Sequence, residues 1–215
     1  MRAGRRETTT AIEEQDLRRK VREHRAPLAV CFVVDNSYSV HAERLVEKVK
    51  GLVFQLLGDA ADRGDRVALV AFKGGLPEAT VALPLSRSAA LAFRRLRNVP
   101  LSGRTPLADA LAKARTVLRR ETLVRPKAIP VVVVATDGLP TVPLHPGGDP
   151  LADALAQASA LRRIGVAVVV VDAATPGRAA ARSCGQALAA AAGGLHVLAE
   201  ELSPGIFLDA LERIA

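Results

Sequence analysis

The sequence has no tryptophan, one tyrosine, one methionine and two cysteines in 215 residues, and aromatics make up only 3%. So few aromatic rings, scattered along the chain, cannot build a platform on which nucleic-acid bases stack. Cys31 and Cys184 have no Cys or His neighbour at metal-ligand spacing and do not form a disulfide framework, so a reducing cytoplasm is the simplest compartment. No apolar run reaches bilayer length, and the arginines near Met1 have no apolar stretch behind them, so neither a membrane span nor a secretory signal is expected. G-x-x-x-x-G-K-[ST] is missing, which excludes a P-loop, and the missing G-x-S-x-G argues against a nucleophile elbow.

What is present is aliphatic and basic. Apolar residues reach 49%, mostly Ala, Val and Leu, and the formal net charge is +8. The arginines lie in every segment and no nucleic-acid motif accompanies them. The charge therefore reads as a solvated surface or as the counterpart of an acidic protein, and no nucleic-acid partner is expected.

Residues 28 to 39, LAVCFVVDNSYS, organise the chain. An apolar run without alternation suits a strand covered on both faces, as in a parallel sheet under helices. Further strands are expected at RVALVAFKG (66 to 74), ATVALPL, IPVVVVATDG (129 to 138), VAVVVVDA (166 to 173) and LHVL (195 to 198). The short loop before ATVALPL favours an antiparallel edge hairpin. Helices are expected over 41 to 63, after Ser86 or Ser88, from Pro106 to about Arg120, over 151 to 163 and 179 to 192, and from Ser203. This alternation predicts a three-layer α/β fold, a doubly wound, mostly parallel sheet with one antiparallel edge strand. Residues 1 to 27 form a charge-dense arm, helical over Ala11 to Arg25, that contacts a second surface away from the strands' carboxyl edge; residues 28 to 215 form the domain.

With strand order 3-2-1-4-5-6, the first and fourth strands meet at the topological switch point. Asp35 and Asp137 then face one crevice, and the loop carrying Thr105 reaches it. Asp35, Ser37, Ser39, Thr105 and Asp137 supply two carboxylates and three hydroxyls, hard oxygen donors of the kind Mg²⁺ takes. The competing reading makes Ser39 a helix N-cap and Asp35 a carboxylate near that helix's positive end. Asp172 reads as a loop cap. His24, His41, His145 and His196 read as surface or satisfied groups, with His41 alone near enough to Ser39 to orient a ligand.

The segments DNSYS, SGRTPLADAL and VVATDGLP resemble the von Willebrand factor A domain, over residues 28 to about 214. In that family the three segments form a metal-ion-dependent adhesion site. DLRRKVREHR, RVALVAFKG, TPLADAL and TDGLPTVPL resemble, more narrowly, the carboxyl-terminal domain of the D-type component of magnesium chelatase. The resemblance implies Mg²⁺, with Mn²⁺ able to substitute, on Ser37, Ser39 and Thr105, with Asp35 and Asp137 binding directly or through water. It implies an AAA+ ATPase partner, chelatase-I-like or MoxR-like, that reaches the metal through an acidic residue, and a reaction that inserts a metal into a tetrapyrrole. Tyr38 stands where the family's turn usually has Gly, and Val40 where Met is common. Two alternatives stay open: a hydrolase using the same metal to activate water, and a structural module that no longer binds one.

Overall fold

The computed structural model describes residues 26–35, 47, 49, 51–53, 64–72, 78–98, 103–136, 139–173, 179–203 and 205–207. Six strands, β1 (Leu28–Val34), β2 (Arg66–Phe72), β3 (Ala79–Ser86), β4 (Ile129–Thr136), β5 (Ala167–Asp172) and β6 (Leu195–Leu198), form one sheet in the order β3-β2-β1-β4-β5-β6. All neighbours are parallel except β2 and β3, so the expected antiparallel edge hairpin is present. The described helices are α1 (Ala89–Arg97), α2 (Leu107–Val124), α3 (Pro150–Arg163) and α4 (Ala179–Ala192), with further helical residues at 47, 49, 51–53 and 205–207.

The aliphatic composition explains the layers. Every residue from Val131 to Val134 is buried, and so is every residue from Val30 to Val34, because helices cover both faces of the central strands. Alternate residues serve opposite sides. Cys31, Val33, Val132 and Val134 pack with Leu107, Leu111, Leu118, Leu161 and Leu188 of α2, α3 and α4. Val30, Phe32, Val131 and Val133 pack with Val49, Leu52, Leu96 and Phe207 on the other face. Each fully buried Val or Leu side chain contributes about 1.5–3 kcal/mol, so many small contributions replace the few large ones that aromatics would give.

Helix ends follow local chemistry. Ser88 caps α1, its hydroxyl accepting from Leu91 N at 3.2 Å, while the hydroxyl of Ser86 accepts from Ser88 N. Asp149 caps α3 by accepting from the amides of Leu151 and Ala152. Two expectations change. Helix α2 begins at Leu107 with Pro106 in the capping place, and it runs on to Val124, a full turn beyond Arg120. The extension is held by Glu121, buried at the helix end, which accepts from Arg66 and Arg125. The described part of strand β4 pairs with β5 through Thr136. The arm (residues 1 to 25), Leu45 and most of the expected first helix lie outside the described residues.

Candidate functional site

The register of β1 and β4 pairs Val34 with Ala135, and Asp35 N donates to Ala135 O at 2.8 Å. Asp35 therefore stands beside Thr136, whose hydroxyl donates to Asp35 Oδ2 at 2.9 Å. Asp35 is 1% exposed and Thr136 is 4%. Strand alternation puts both on the side of Cys31, Val33 and Val134, under the α2–α4 layer.

Thr105 reaches this same edge from a different segment. Because α2 runs back to the start of β4, its first residues lie at the strands' carboxyl edge. Two hydrogen bonds fix the position: Thr105 N donates to Thr141 Oγ1 at 2.9 Å, and Thr141 N donates to Thr105 O at 3.1 Å. Thr141 belongs to the loop that follows β4, so that loop and the start of α2 are tied at one point. Leu144 N donates to Asp153 Oδ2 on α3, which anchors the far end of the same loop. Thr136 and Thr141 both lie in the segment TDGLPTVPL, but its spacing does not say which residues they act on, because sheet register and loop closure alone bring those neighbours close.

Of the five residues singled out, Asp35 and Thr105 are described, both buried at the carboxyl edge. Ser37, Ser39 and Asp137 lie outside the described residues, as do Tyr38, Val40 and His41. Among the described residues no group of three or more His, Cys, Asp or Glu side chains is arranged to hold a metal.

One step further along the edge stands a second polar pair. Thr136 pairs with Asp172 across β4 and β5, and His196 of β6 lies in register with Val170. His196 and Asp172 are thus diagonal neighbours on one face, with Nε2 and Oδ2 3.0 Å apart. Asp172 is thus a buried partner of His196. His196 is satisfied, as expected. Gly185 of α4 permits the arrangement: a Cβ there would stand 3.1 Å from both Asp172 Oδ2 and His196 Nε2. Beside it, burial first and the Asp172 charge second push the Cys184 thiol up to about 11, and burial pushes Cys31 up to about 12. Both stay protonated near neutrality, so neither is a poised nucleophile.

A family model described as the von Willebrand factor type A domain matches residues 30–139, from within β1 to just past β4. The chain belongs to the von Willebrand factor type A family. The fold agrees: conserved hypothetical protein BatB from Bacteroides thetaiotaomicron superposes with a TM-score of 0.63 at 17% identity, covering 88% of this chain and 98% of that one. In sequence, this A domain is 41% identical over 157 residues to the uncharacterized protein Rv2850c of Mycobacterium tuberculosis, covering 73% of the chain and 24% of that protein. It is 36% identical over 165 residues to the magnesium-chelatase 60 kDa subunit of Cereibacter sphaeroides, covering 75% of the chain and 28% of that subunit. The A domain thus spans about a quarter of each of these two relatives.

Proposed function

We propose that this A domain is a Mg²⁺-dependent protein-binding module of a chelatase-D-like protein. In this reading Asp35, Ser37, Ser39, Thr105 and Asp137 hold the ion, with Mn²⁺ able to substitute. The partner is an AAA+ ATPase, and the assembly serves metal insertion into a tetrapyrrole in the cytoplasm. The observation that carries the reading is that a buried Asp and a buried Thr from separate segments both stand at one sheet edge. Asp35 comes from β1 and Thr105 from the α2 loop, and each is fixed by a second residue. Both are hard oxygen donors, which fits Mg²⁺ and disfavours soft metals. Similarity to the chelatase subunit supports the choice of partner class.

The bound ion would supply excess positive charge and an open coordination position for an acidic side chain of the partner. The domain's own residues do the positioning. The Thr136 hydroxyl orients the Asp35 carboxylate, and Thr141 holds the backbone of Thr105 on both sides. Neither needs to touch the ion to set its ligands.

Calorimetric titration with Mg²⁺ and Mn²⁺, followed by pull-down of the tagged protein in Mg²⁺ and in chelator, tests this. Binding at or below millimolar metal is expected, with an ATPase retained only when metal is present. Asp137→Ala and Ser37→Ala should lose both while keeping the thermal midpoint of the metal-free protein. No heat at millimolar metal would leave only a structural module.

A further inference from the structure

The opposite edge of the sheet, where the parallel strands begin, carries a different kind of surface. Helices α2, α3 and α4 all end there, because each leads into the start of β4, β5 or β6. At the end of α2, Leu123 is 78% exposed and Val124 is 77%, and at the end of α3 Ile164 is 44% exposed. Single exposed aliphatic residues are ordinary. Two adjacent ones, nearly bare at a helix end, with a third exposed at the end of the helix packed alongside, leave apolar surface on this edge that water does not favour.

Cations share that edge. Arg119 and Arg120 are exposed one turn before Leu123 and Val124, on the same helical ridges. Lys127 follows in the exposed α2–β4 turn, and Arg162 and Arg163 end α3. Among the described residues no ion pair engages these five. The described carboxylates at this edge are buried and already used: Glu121 accepts from Arg66 and Arg125, and Asp65 accepts from Leu28 N. Cations at helix carboxyl ends complement the helix dipole, which accounts for Arg162 and Arg163. It does not account for the bare Leu-Val pair set among them.

We propose that this strand-start edge is a second docking surface, for an acidic protein segment that carries apolar side chains. Charge selects among occupants. Residues 1 to 25 hold eight Lys or Arg against five Asp or Glu, and the whole chain is +8, so the arm and a second copy share the sign of the face. An acidic segment complements it, and its apolar side chains cover Leu123, Val124 and Ile164. The surface lies at the end of the strands away from Asp35 and Thr105, so its occupancy is independent of metal and of the metal-site reading.

The test uses the full chain and three fluorescent probes: a helical peptide with Glu and Leu on one face, a polyglutamate of equal length, and a duplex DNA. The Glu/Leu peptide should bind equally in Mg²⁺ and in chelator, and more weakly as salt rises. It should bind at least about tenfold more tightly than polyglutamate. Leu123→Ser with Val124→Ser should remove that advantage, and Arg119→Glu with Arg120→Glu should remove the salt dependence. Polyglutamate or DNA binding as tightly as the Glu/Leu peptide would overturn the proposal. So would full affinity in the Leu123/Val124 variant. The comparison of probes on the unaltered protein decides the matter even if a variant fails to fold.

Discussion

Thr141 shows how a residue can govern a site from outside it. Its hydroxyl accepts from Thr105 N and its own amide donates to Thr105 O, so one side chain and one backbone group lock a buried loop residue in place. Removing the hydroxyl leaves the Thr105 amide without that partner, which costs about 1–3 kcal/mol where the group stays buried. If Thr105 is a ligand, part of that cost appears as displaced ligand geometry. Thr141→Val should therefore weaken Mg²⁺ affinity by about tenfold in titration, whereas Thr141→Ser, which keeps the hydroxyl, should restore it. A Val variant with unchanged metal affinity and a lowered thermal midpoint would make Thr141 a structural clasp only. Such residues are hard to find in a sequence. Thr105 and Thr141 are 36 positions apart, Thr136 and Asp35 are 101 apart, and Asp172 and His196 are 24 apart. Each contact exists only once strand register and loop closure are known. Asp35 and Thr105 could be singled out because each lies in a short segment whose residue types already suit oxygen coordination.

At the scale of elements, the strands were the most legible part, and for one physical reason. A strand buried on both faces must be apolar at every position, so VVVV in β4 and β5 and LAVCFVV in β1 announce themselves without periodicity. The end of α2 was less legible because Leu123 and Val124 are apolar yet exposed, which breaks the pattern that marks a buried helical face. Gly194 marks another limit. It joins α4 to β6 and lies directly against the carbonyl of Val168, so close that a Cβ would collide with Val168 O. Backbone cannot yield as a flexible side chain can. Gly194→Ala should push β6 away from β5 and lower stability by about 1–3 kcal/mol, read as a reduced urea midpoint. Because His196 is two residues on, the same variant should also loosen its contact with Asp172, visible as a shifted imidazole resonance. An unchanged midpoint would mean that β6 relocates without loss.

The whole molecule presents two unlike ends. The carboxyl edge gathers buried oxygen donors, and the strand-start edge gathers exposed cations around a bare Leu-Val pair. The arm joins the domain at the second of these. Ile129 N donates to Pro27 O and Leu28 N to Asp65 Oδ1, so residue 26 leaves from the strand-start edge, beside the turn that carries Lys127. Seven β1 residues separate that point from Asp35, which at about 3.3 Å each is more than 20 Å along the strand. Deleting residues 1 to 25 should therefore leave Mg²⁺ affinity unchanged. The deletion also removes eight basic side chains against five acidic ones, a net charge of +3. It should slow association with an acidic partner and flatten its salt dependence, while the dissociation rate changes less, since steering acts on encounter. Stopped-flow association of the Glu/Leu peptide at low and high salt, beside a metal titration of the same truncated protein, reads both halves. Loss of metal binding in a truncation that still unfolds cooperatively would place the arm at the carboxyl edge and refute this arrangement. An association rate that keeps its full salt dependence would show that the cations of α2 and α3 steer the partner unaided.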